Sequence, residues 1–271
     1  MIALVNGLRQ DSIAVTDSTI VRGDGVFEAV RSYGGRLFAL EDHLDRLRRS
    51  AAALEIPMPD DDRIGSWARS VGAEGGEGIV RIIVSRGDAV PGTSEERRII
   101  VLHHRLPFTP STVRLRPWPA PWHPAGRTWE LAGIKTVAYA ANATASRLAG
   151  RDGFDDALLC ADDGTVLEGP TFSVGWMRGD VLRVPEIELG ILDSITRRHV
   201  LGLVEVADVT VEPGRFPLDE LSTADEVFAM STVKEVTPVI SVGEWEFESG
   251  TVTAKLRDLF RQHVNASIRS N

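Results

Sequence analysis

The sequence contains three lysines, Lys135, Lys234 and Lys255, so any chemistry that requires a lysine amine must use one of them. Lys135 lies in WELAGIKTVAYAAN, where an apolar stretch predicted as a strand precedes it and a helix of small residues follows. At such a junction we expect the side chain to be partly buried. Burial favours the neutral amine, lowers its pKa and makes it a nucleophile toward aldehydes. A lysine that extends its amine into solvent at a helix start is the alternative that the residues alone leave open.

The other two lysines are weaker candidates. Lys255 falls on the polar face of a predicted amphipathic helix over residues 251–268, and we expect it to be a surface residue. Lys234 follows MSTV in a loop-like stretch. We expect it to be solvated, with a contact to a phosphate as the alternative.

Four further side chains have types that suit an anionic or heterocyclic ligand. Glu168, at the end of a predicted strand in DDGTVLEGPTF, could hold a protonated ring nitrogen or be a solvated turn residue. Arg46, in the charged helix EDHLDRLRRS, could bind a phosphate bidentately or lie on the surface. Thr196 opens a predicted helix whose first N–H groups could bind phosphate, although a Ser194 or Thr196 cap is the simpler account. Thr232 contributes a hydroxyl after a strand.

Composition narrows the class of protein. The chain has 271 residues, of which 43% are hydrophobic and 25% charged, which indicates a folded protein of one large or two modest domains. The formal net charge of −9 argues against a nucleic-acid binder. No apolar run approaches the roughly 18 residues of a membrane helix, and we see no export signal. Cys160 is the single cysteine, so no internal disulfide is possible and the cytoplasm is the expected compartment.

The elements that position these residues divide the chain in two. Residues 1–106 alternate β-rich stretches with about two helices, which predicts an antiparallel sheet in an α+β unit, a small N-terminal domain. The stretch LPFTPST is rich in proline and hydroxyl residues, so residues 107–112 are the predicted linker. Residues 113–271 form the predicted larger C-terminal domain. The pair His103-His104 lies in a predicted strand, where adjacent side chains face opposite sides, so we expect no metal site there.

The order of the motifs is more specific than any one of them. GDGVFEAVR comes first, an arginine in HLDRL follows, and Lys135 precedes a small-residue helix. LEGP, GILDSITR and STVKEVTPV complete the series. From Asn6 to about residue 245, the chain resembles the class IV pyridoxal-phosphate enzymes of fold type IV. These are branched-chain aminotransferases, D-amino-acid transaminases and aminodeoxychorismate lyases. The resemblance implies a small N-terminal α/β domain, a C-terminal pseudo-barrel domain and pyridoxal 5'-phosphate in the cleft between them.

The resemblance also implies roles for individual residues. Lys135 would form the Schiff base with the cofactor and move a proton during the reaction, while Glu168 would keep the pyridine nitrogen protonated. The phosphate would be held by Arg46, the backbone amides of Ile195 and Thr196, and the Thr232 hydroxyl. Tyr139 matches the family's tyrosine near the phenolic oxygen, a match that requires a one-residue gap, and helix packing is its alternative role.

Arginines are the expected partners of the substrate's carboxylate. Arg81 in GIVRIIVSRG lies inside an apolar strand, where a charge is costly unless it is paired, and the family places carboxylate contacts near this position. Arg22 lies in a segment that in this family reaches the neighbouring subunit's site, which implies a homodimer; a surface salt bridge is its alternative. The predicted substrate contacts are Arg22, Arg81, Phe27 and Val233.

The preferred reaction follows from the same positions. Common D-amino-acid transaminases carry an Arg-x-His pair in a loop that here reads GDAVPGTSEE, residues 87–96, and lacks it. A smaller subgroup resembles this chain in having arginines like Arg22 and Arg81. We therefore expect a ping-pong transaminase of D-amino acids, with 2-oxoglutarate or pyruvate as acceptor.

Three other functions stay open. Aminodeoxychorismate lyase, which eliminates pyruvate to give 4-aminobenzoate, is the first, because IKTVAYAANATASRLA and VLEGP resemble lyase segments. Lyases tend to carry threonine in the stretch aligned with residues 26–29, which has no hydroxyl here. Branched-chain L-amino-acid transamination ranks next. A non-catalytic homologue that binds the cofactor, or a scaffold, is disfavoured because the whole residue set is retained, and no Walker or complete G-x-G-x-x-G motif supports a nucleotide-binding module.

Overall fold

The computed structural model describes residues 2–59, 62–90 and 96–270. The chain forms two compact units: unit 1 comprises Met1–Pro107, Ile134–Tyr139 and Val264–Asn271, and unit 2 comprises Phe108–Gly133 and Ala140–His263. The first division falls at the start of the predicted linker, residues 107–112. Unit 1 also takes in two later stretches that the sequence assigns to the C-terminal domain, and one of them contains Lys135.

Unit 1 is built on an antiparallel sheet whose six described strands run in the order β2-β1-β6-β5-β3-β4. The strands are β1 (Ile2–Val5), β2 (Leu8–Arg9), β3 (Gly25–Tyr33), β4 (Arg36–Leu37), β5 (Gly78–Ser85) and β6 (Arg98–His104). The helices are α1 (Ser18–Val21), α2 (Leu40–Ala53) and α3 (Arg63–Gly75). Unit 1 therefore has the antiparallel α+β architecture that the sequence predicts.

The two faces of β3 have different roles. Val26 and Val30 point into a hydrophobic core that includes Leu44 and Leu47 of α2. Glu28 lies between the two valines on the same face, because side chains alternate along a strand, and it is fully buried. Phe27 lies on the opposite face. The alternation of side chains along β3 therefore places the Glu28 carboxylate in the core of unit 1.

The first hairpin follows from local turn chemistry. Asn6 and Gly7 have φ values of 48° and 81°, and positive φ at both central residues is the requirement of a type I′ turn. The partner strand is β2, and the apolar stretch at residues 12–15 lies outside the strands. The next hairpin joins β3 to β4, which has only two residues because α2 already begins at Leu40.

Helix α3 begins at Arg63 and ends at Gly75. Asp62 precedes the helix but makes no side-chain cap. Its carboxylate instead accepts a hydrogen bond from Arg69, at 2.8 Å, because an arginine two turns into the helix offers it a charged partner.

Unit 2 is built on a mixed sheet of eight described strands, in the order β11-β10-β9-β12-β13-β7-β8 with β14 paired to β13. The strands are β7 (Val113–Pro119), β8 (Asp156–Cys160), β9 (Ser173–Arg178), β10 (Val181–Pro185), β11 (Thr210–Gly214), β12 (Glu226–Ser231), β13 (Glu235–Val242) and β14 (Trp245–Glu246). The helices are α4 (Ala140–Arg151), α5 (Ile195–Leu201) and α6 (Thr251–Ser270), whose last residues count with unit 1.

Three short 3-10 helices complete unit 2, at Ile187–Leu189, Glu205–Ala207 and Leu218–Thr223. The stretch TVLEG, predicted as a strand, runs antiparallel to β8 through an isolated bridge from Cys160 to Val166 and hydrogen bonds such as Leu167 N to Leu159 O at 3.0 Å, but it is too irregular to form a named strand. Within the described ranges, no helix is both long and apolar enough to cross a membrane.

Candidate active site

Lys135 lies on an irregular segment and not at the end of a strand. The bridge from Thr136 to Val26 is isolated, and α4 begins five residues after Lys135, at Ala140. Strand β4 pairs only with Ser32 and Tyr33, so it leaves the first part of β3 open on that side. Residues 135–137 take this place: Phe27 N donates to Lys135 O at 3.1 Å, and Val137 N donates to Gly25 O at 2.9 Å.

The Lys135 amine lies among aromatic rings of unit 1. Its Nζ is 4.5 Å from the centre of the Phe27 ring and 5.6 Å from that of Tyr139. The two rings meet edge to face, with centres 5.3 Å apart. The side chain is half-buried, as expected, and its backbone N–H donates to Ser50 Oγ of α2 at 3.3 Å. Strand β3 and helix α2 therefore both fix the position of Lys135.

Arg81 belongs to the same group. It pairs with Ala29 across β3 and β5, which puts its side chain on the face that carries Phe27. The guanidinium carbon lies 5.2 Å from the centre of the Phe27 ring. Burial lowers the pKa of Arg81, and the charge of Tyr139 opposes this. Among the described residues no carboxylate pairs with Arg81, so an anionic ligand would offset its burial.

Arg46 is a buried residue of α2, so its surface alternative is wrong. Its Nε and Nη2 donate to the two Glu28 oxygens at 2.7 and 2.8 Å. His43, one turn earlier in α2, lies with Nδ1 2.7 Å from Glu28 Oε2. All three side chains are almost completely buried. The sequence analysis missed Glu28 and His43, although a carboxylate in phase with Val26 and Val30 of β3 signals an inward position.

The protonation states of this cluster follow from its contacts. Burial alone would raise the pKa of Glu28, but the hydrogen bonds and charges of Arg46 and His43 outweigh it and lower the pKa to about 2. Burial lowers the pKa of His43, and the positive charges of Arg46 and Lys135 lower it further. The hydrogen bond and the negative charge of Glu28 raise it, but they do not outweigh these effects. Glu28 is therefore ionised and His43 neutral at pH 7. Since a carboxylate only accepts, the proton of His43 lies on Nδ1.

Arg22 directly follows the short helix α1, and its side chain is exposed. Asp17 caps α1 by accepting from Thr19 N at 2.9 Å, and it also accepts from Ser85 and Arg98. A Cβ placed on the next residue, Gly23, would lie 3.3 Å from the Ala138 Cβ. The backbone beside Arg22 therefore packs against the segment that carries Lys135 in the same chain.

Unit 2 contains the second group of predicted residues. Glu168 is largely buried, and both of its carboxylate oxygens accept from the Leu192 N–H, at 3.2 and 3.3 Å. His123, which the sequence analysis missed, lies with Nε2 3.8 Å from Glu168 Oε1. Its Nδ1 accepts from Ala125 N at 3.2 Å, so in the neutral ring the proton lies on Nε2 and faces Glu168.

Ile195 and Thr196 form the first turn of α5, and both are buried. Ser194 is the N-cap residue, with Oγ accepting from Arg197 N at 3.3 Å, so the expected cap is present. Thr232 and Val233 lie half-buried in the loop between β12 and β13. Ile195 and Thr196 lie in the first turn of a helix, whose N–H groups have no partner within the helix, and Thr232 directly follows β12.

The surroundings of Lys234 differ from the solvated position that the sequence predicts. Its side chain is 15% exposed and not solvated, because Nζ lies 3.2 Å from Asp156 Oδ2. Lys255 is at the surface as predicted, 46% exposed beside Asp208. Cys160 is buried, and burial raises the pKa of its thiol to about 11, so it stays protonated at neutral pH. Part of the loop that lacks the Arg-x-His pair, residues 91–95, lies outside the described residues.

Comparison with known proteins places the chain in a family. The family described as amino-transferase class IV matches residues 25–242. An aminodeoxychorismate lyase of Bacillus subtilis is 26% identical over 267 residues, which cover 93% of this chain and 89% of that protein. A bifunctional aminodeoxychorismate lyase / D-amino acid transaminase of Mycobacterium tuberculosis is 34% identical over 173 residues, 58% of each chain. Further relatives are named for D-alanine or branched-chain amino acids.

A solved structure of the same fold type also matches this chain. It is the fold IV-transaminase CpuTA1 of Curtobacterium pusillum, with a TM-score of 0.82 at 30% identity, over 93% of this chain and 92% of that one. The chain therefore belongs to the class IV aminotransferases, enzymes of fold type IV that depend on pyridoxal phosphate and act on small molecules. The donor set fits this cofactor, which requires an amine, a carboxylate for its ring nitrogen and cationic or N–H groups for its phosphate. Lys135, Glu168 and Arg46 are side chains of these types, each withdrawn at least partly from solvent.

Proposed function

We propose that Lys135 carries pyridoxal phosphate as a Schiff base, and that Glu168 holds the proton on the pyridine nitrogen. The proposed phosphate ligands are Arg46, the amides of Ile195 and Thr196, and the Thr232 hydroxyl. Tyr139 is proposed to lie near the phenolic oxygen. Two observations support these roles: the Lys135 amine lies against two aromatic rings, and the Glu168 carboxylate is fixed by the Leu192 amide. Both groups are thus oriented by their surroundings.

Each side chain has a chemical task in transamination. When bound, pyridoxal phosphate supplies an aldehyde that captures an amine and a ring that accepts the electrons of the neighbouring carbon. The Lys135 Nζ removes the proton from the substrate's Cα and returns one during the second half-reaction. The negative charge of Glu168 stabilises the protonated nitrogen, which makes the ring a better electron acceptor. Phe27 and Tyr139 shield the amine from water.

We propose that the substrates are D-amino acids, with 2-oxoglutarate or pyruvate as acceptor. The observation that supports this is Arg81, a desolvated guanidinium beside the ring that also contacts the Lys135 amine, taken together with Arg22 and with the loop that lacks the Arg-x-His pair. A carboxylate bound by Arg81 would fix the substrate's Cα relative to Lys135. The opposite enantiomer would then point its hydrogen away from that amine, so geometry rejects it.

Parallel half-reactions test the substrate class. The purified enzyme with its cofactor is mixed separately with D-glutamate, D-alanine, L-glutamate and L-leucine, and conversion of the cofactor to its amine form is followed by absorbance. We expect conversion with the D-amino acids only. Arg81→Ala should reduce the efficiency with D-glutamate by roughly 10- to 150-fold, the effect of one lost charge-assisted contact. Conversion by L-leucine but not by D-glutamate would instead establish branched-chain transamination.

Aminodeoxychorismate lyase is the second candidate. It is favoured by the two relatives that carry this name, one of which joins it to D-amino-acid transamination. Against it, β3 presents the ring of Phe27 to Lys135, and residues 26–29 contain no hydroxyl. Pyruvate release from aminodeoxychorismate, measured beside the half-reactions, decides between them: a rate well above that with D-glutamate would make the lyase the principal activity.

We also propose a cytoplasmic homodimer in which Arg22 completes the neighbour's site. Mixing Arg22→Ala with Lys135→Ala subunits tests this, because a mixed dimer then contains one intact site. Random association makes about half of the dimers mixed, so about a quarter of the wild-type rate should return. No recovery, with mixed dimers demonstrated by mass, would place Arg22 in the site of its own chain, beside Ala138.

A further inference from the structure

The loop that bears Thr232 has a defined conformation. Ser231 of β12 pairs with Glu235 of β13, so the loop consists of residues 232–234. The Lys234 N–H donates to Ser231 Oγ at 3.0 Å, and Thr237 Oγ1 donates to the Lys234 carbonyl at 2.6 Å. Hydrogen bonds on both sides of Lys234 therefore fix its backbone at the end of the loop.

The side chain of Lys234 ties this loop to the interior of unit 2. Its ammonium lies 3.2 Å from Asp156 Oδ2 at the start of β8, and 4.7 Å from the centre of the Phe172 ring. Asp156 Oδ1 accepts from Ser146 Oγ of α4 at 2.7 Å. The lysine and aspartate side chains are only 15% and 10% exposed. One cation thus connects the loop to a strand and, through Asp156, to a helix.

An ion pair that is largely buried is weak evidence for a gain in folding stability. The cost of removing two charges from solvent cancels much of their attraction, and an apolar pair of similar size often stabilises as well or better. An ion pair instead constrains geometry, because the ammonium must lie next to the carboxylate. The two residues immediately before Lys234 in the loop are Thr232 and Val233.

We propose that Lys234, with Asp156, is a positioning residue for the cofactor's phosphate. It acts through the loop, by holding the Thr232 hydroxyl and the neighbouring backbone where a phosphate can accept hydrogen bonds. This inference rests on the proposed function, which assigns the phosphate contact to Thr232. It gives Lys234 a role distinct from that of Lys135, because its ammonium is engaged by Asp156.

Two forms of the cofactor separate this role from a general structural one. Pyridoxal lacks the phosphate but keeps the aldehyde that reacts with Lys135. The dissociation constants of pyridoxal phosphate and of pyridoxal are measured by absorbance titration of the apoenzyme. In Lys234→Met we expect pyridoxal phosphate to bind roughly tenfold more weakly and pyridoxal to bind unchanged. Asp156→Asn should give the same pattern, and Lys234→Arg should bind nearly as wild type.

Two controls complete the experiment. Lys255→Met removes an exposed lysine that also faces an aspartate, and it should change neither constant. Thr232→Val tests the underlying assignment and should weaken the binding of pyridoxal phosphate alone.

If Thr232→Val has this effect but Lys234→Met and Asp156→Asn do not, the positioning role is wrong and the proposed function stands. If both ligands weaken equally in Lys234→Met and Asp156→Asn, the pair is structural and the proposal is also wrong. If Thr232→Val changes nothing, the phosphate assignment fails and the positioning role fails with it.

Discussion

Replacing Glu28 by glutamine tests the buried polar cluster of unit 1. The substitution keeps the shape of the side chain but removes its charge. The Arg46 guanidinium then loses its anionic partner and stays buried as an unbalanced cation next to neutral His43. Breaking a buried ion pair from one side costs about 3–5 kcal/mol. We expect the free energy of unfolding to fall by that amount at pH 7.

The lowered pKa of Glu28 gives a second measure of the same interaction. Its value of about 2 lies below the ordinary 4.5. One pH unit corresponds to about 1.4 kcal/mol, so ionised Glu28 contributes about 3 kcal/mol to stability. Because the pKa is lower in the folded chain, this contribution is present above pH 4.5 and is lost as the pH falls toward 2. The pKa of His43 is also lower in the folded chain than its ordinary 6.5, so the free energy of unfolding falls further as the pH drops below 6.5.

The assay is urea unfolding followed by tryptophan fluorescence, at several pH values between 7 and 4. Glu74→Gln is the matched control, since Glu74 pairs with Arg9 in the same unit but both side chains are about half exposed. An exposed pair contributes at most about 1 kcal/mol, and the control should change little. If Glu28→Gln costs no more than Glu74→Gln at pH 7, the buried cluster does not stabilise unit 1 by this interaction.

Three further variants address the cofactor. Lys135→Ala should abolish the adduct that borohydride traps, while Lys255→Ala keeps it; peptide mapping that finds the label on another lysine would contradict the assignment. Glu168→Gln should slow removal of the substrate's α-proton with the cofactor still bound, and an unchanged rate would exclude its proposed role. Arg46→Ala should weaken cofactor binding by about 1.5–3 kcal/mol in equilibrium titration, and unchanged affinity would remove Arg46 from the phosphate site.

Much of the fold could be predicted because its signals are local. The Asn6-Gly7 turn, the β-branched strands of unit 1 and the helices around Leu44 and Leu256 are encoded within a few residues of each element. The predicted antiparallel α+β unit and the fold type IV family are both confirmed. The family motifs also indicated Lys135 and Glu168, which local patterns alone left undecided between a functional and a surface role.

The parts that failed depend on contacts distant in sequence. The segment before Lys135 reads as an apolar strand, yet in the described chain no strand forms there, and the bridge to β3 is made by Thr136, directly after the lysine. Lys234 reads as a loop lysine, and nothing near it in the sequence shows that Asp156 lies 3.2 Å away. Long-range ion pairs of this kind have no periodic signature, so only the folded chain reveals them.

The distribution of buried charge is compatible with the proposed binding of anionic ligands by an acidic chain. The net charge of −9 is a property of the whole sequence. Within unit 1, however, Arg46 and Arg81 are withdrawn from solvent at least partly, and Glu28 is the carboxylate that pairs with Arg46. His43 adds no charge because it is neutral. A bound anion would offset the burial of the Arg81 guanidinium, so we expect recognition to arise from short-range contacts and not from attraction by the protein surface.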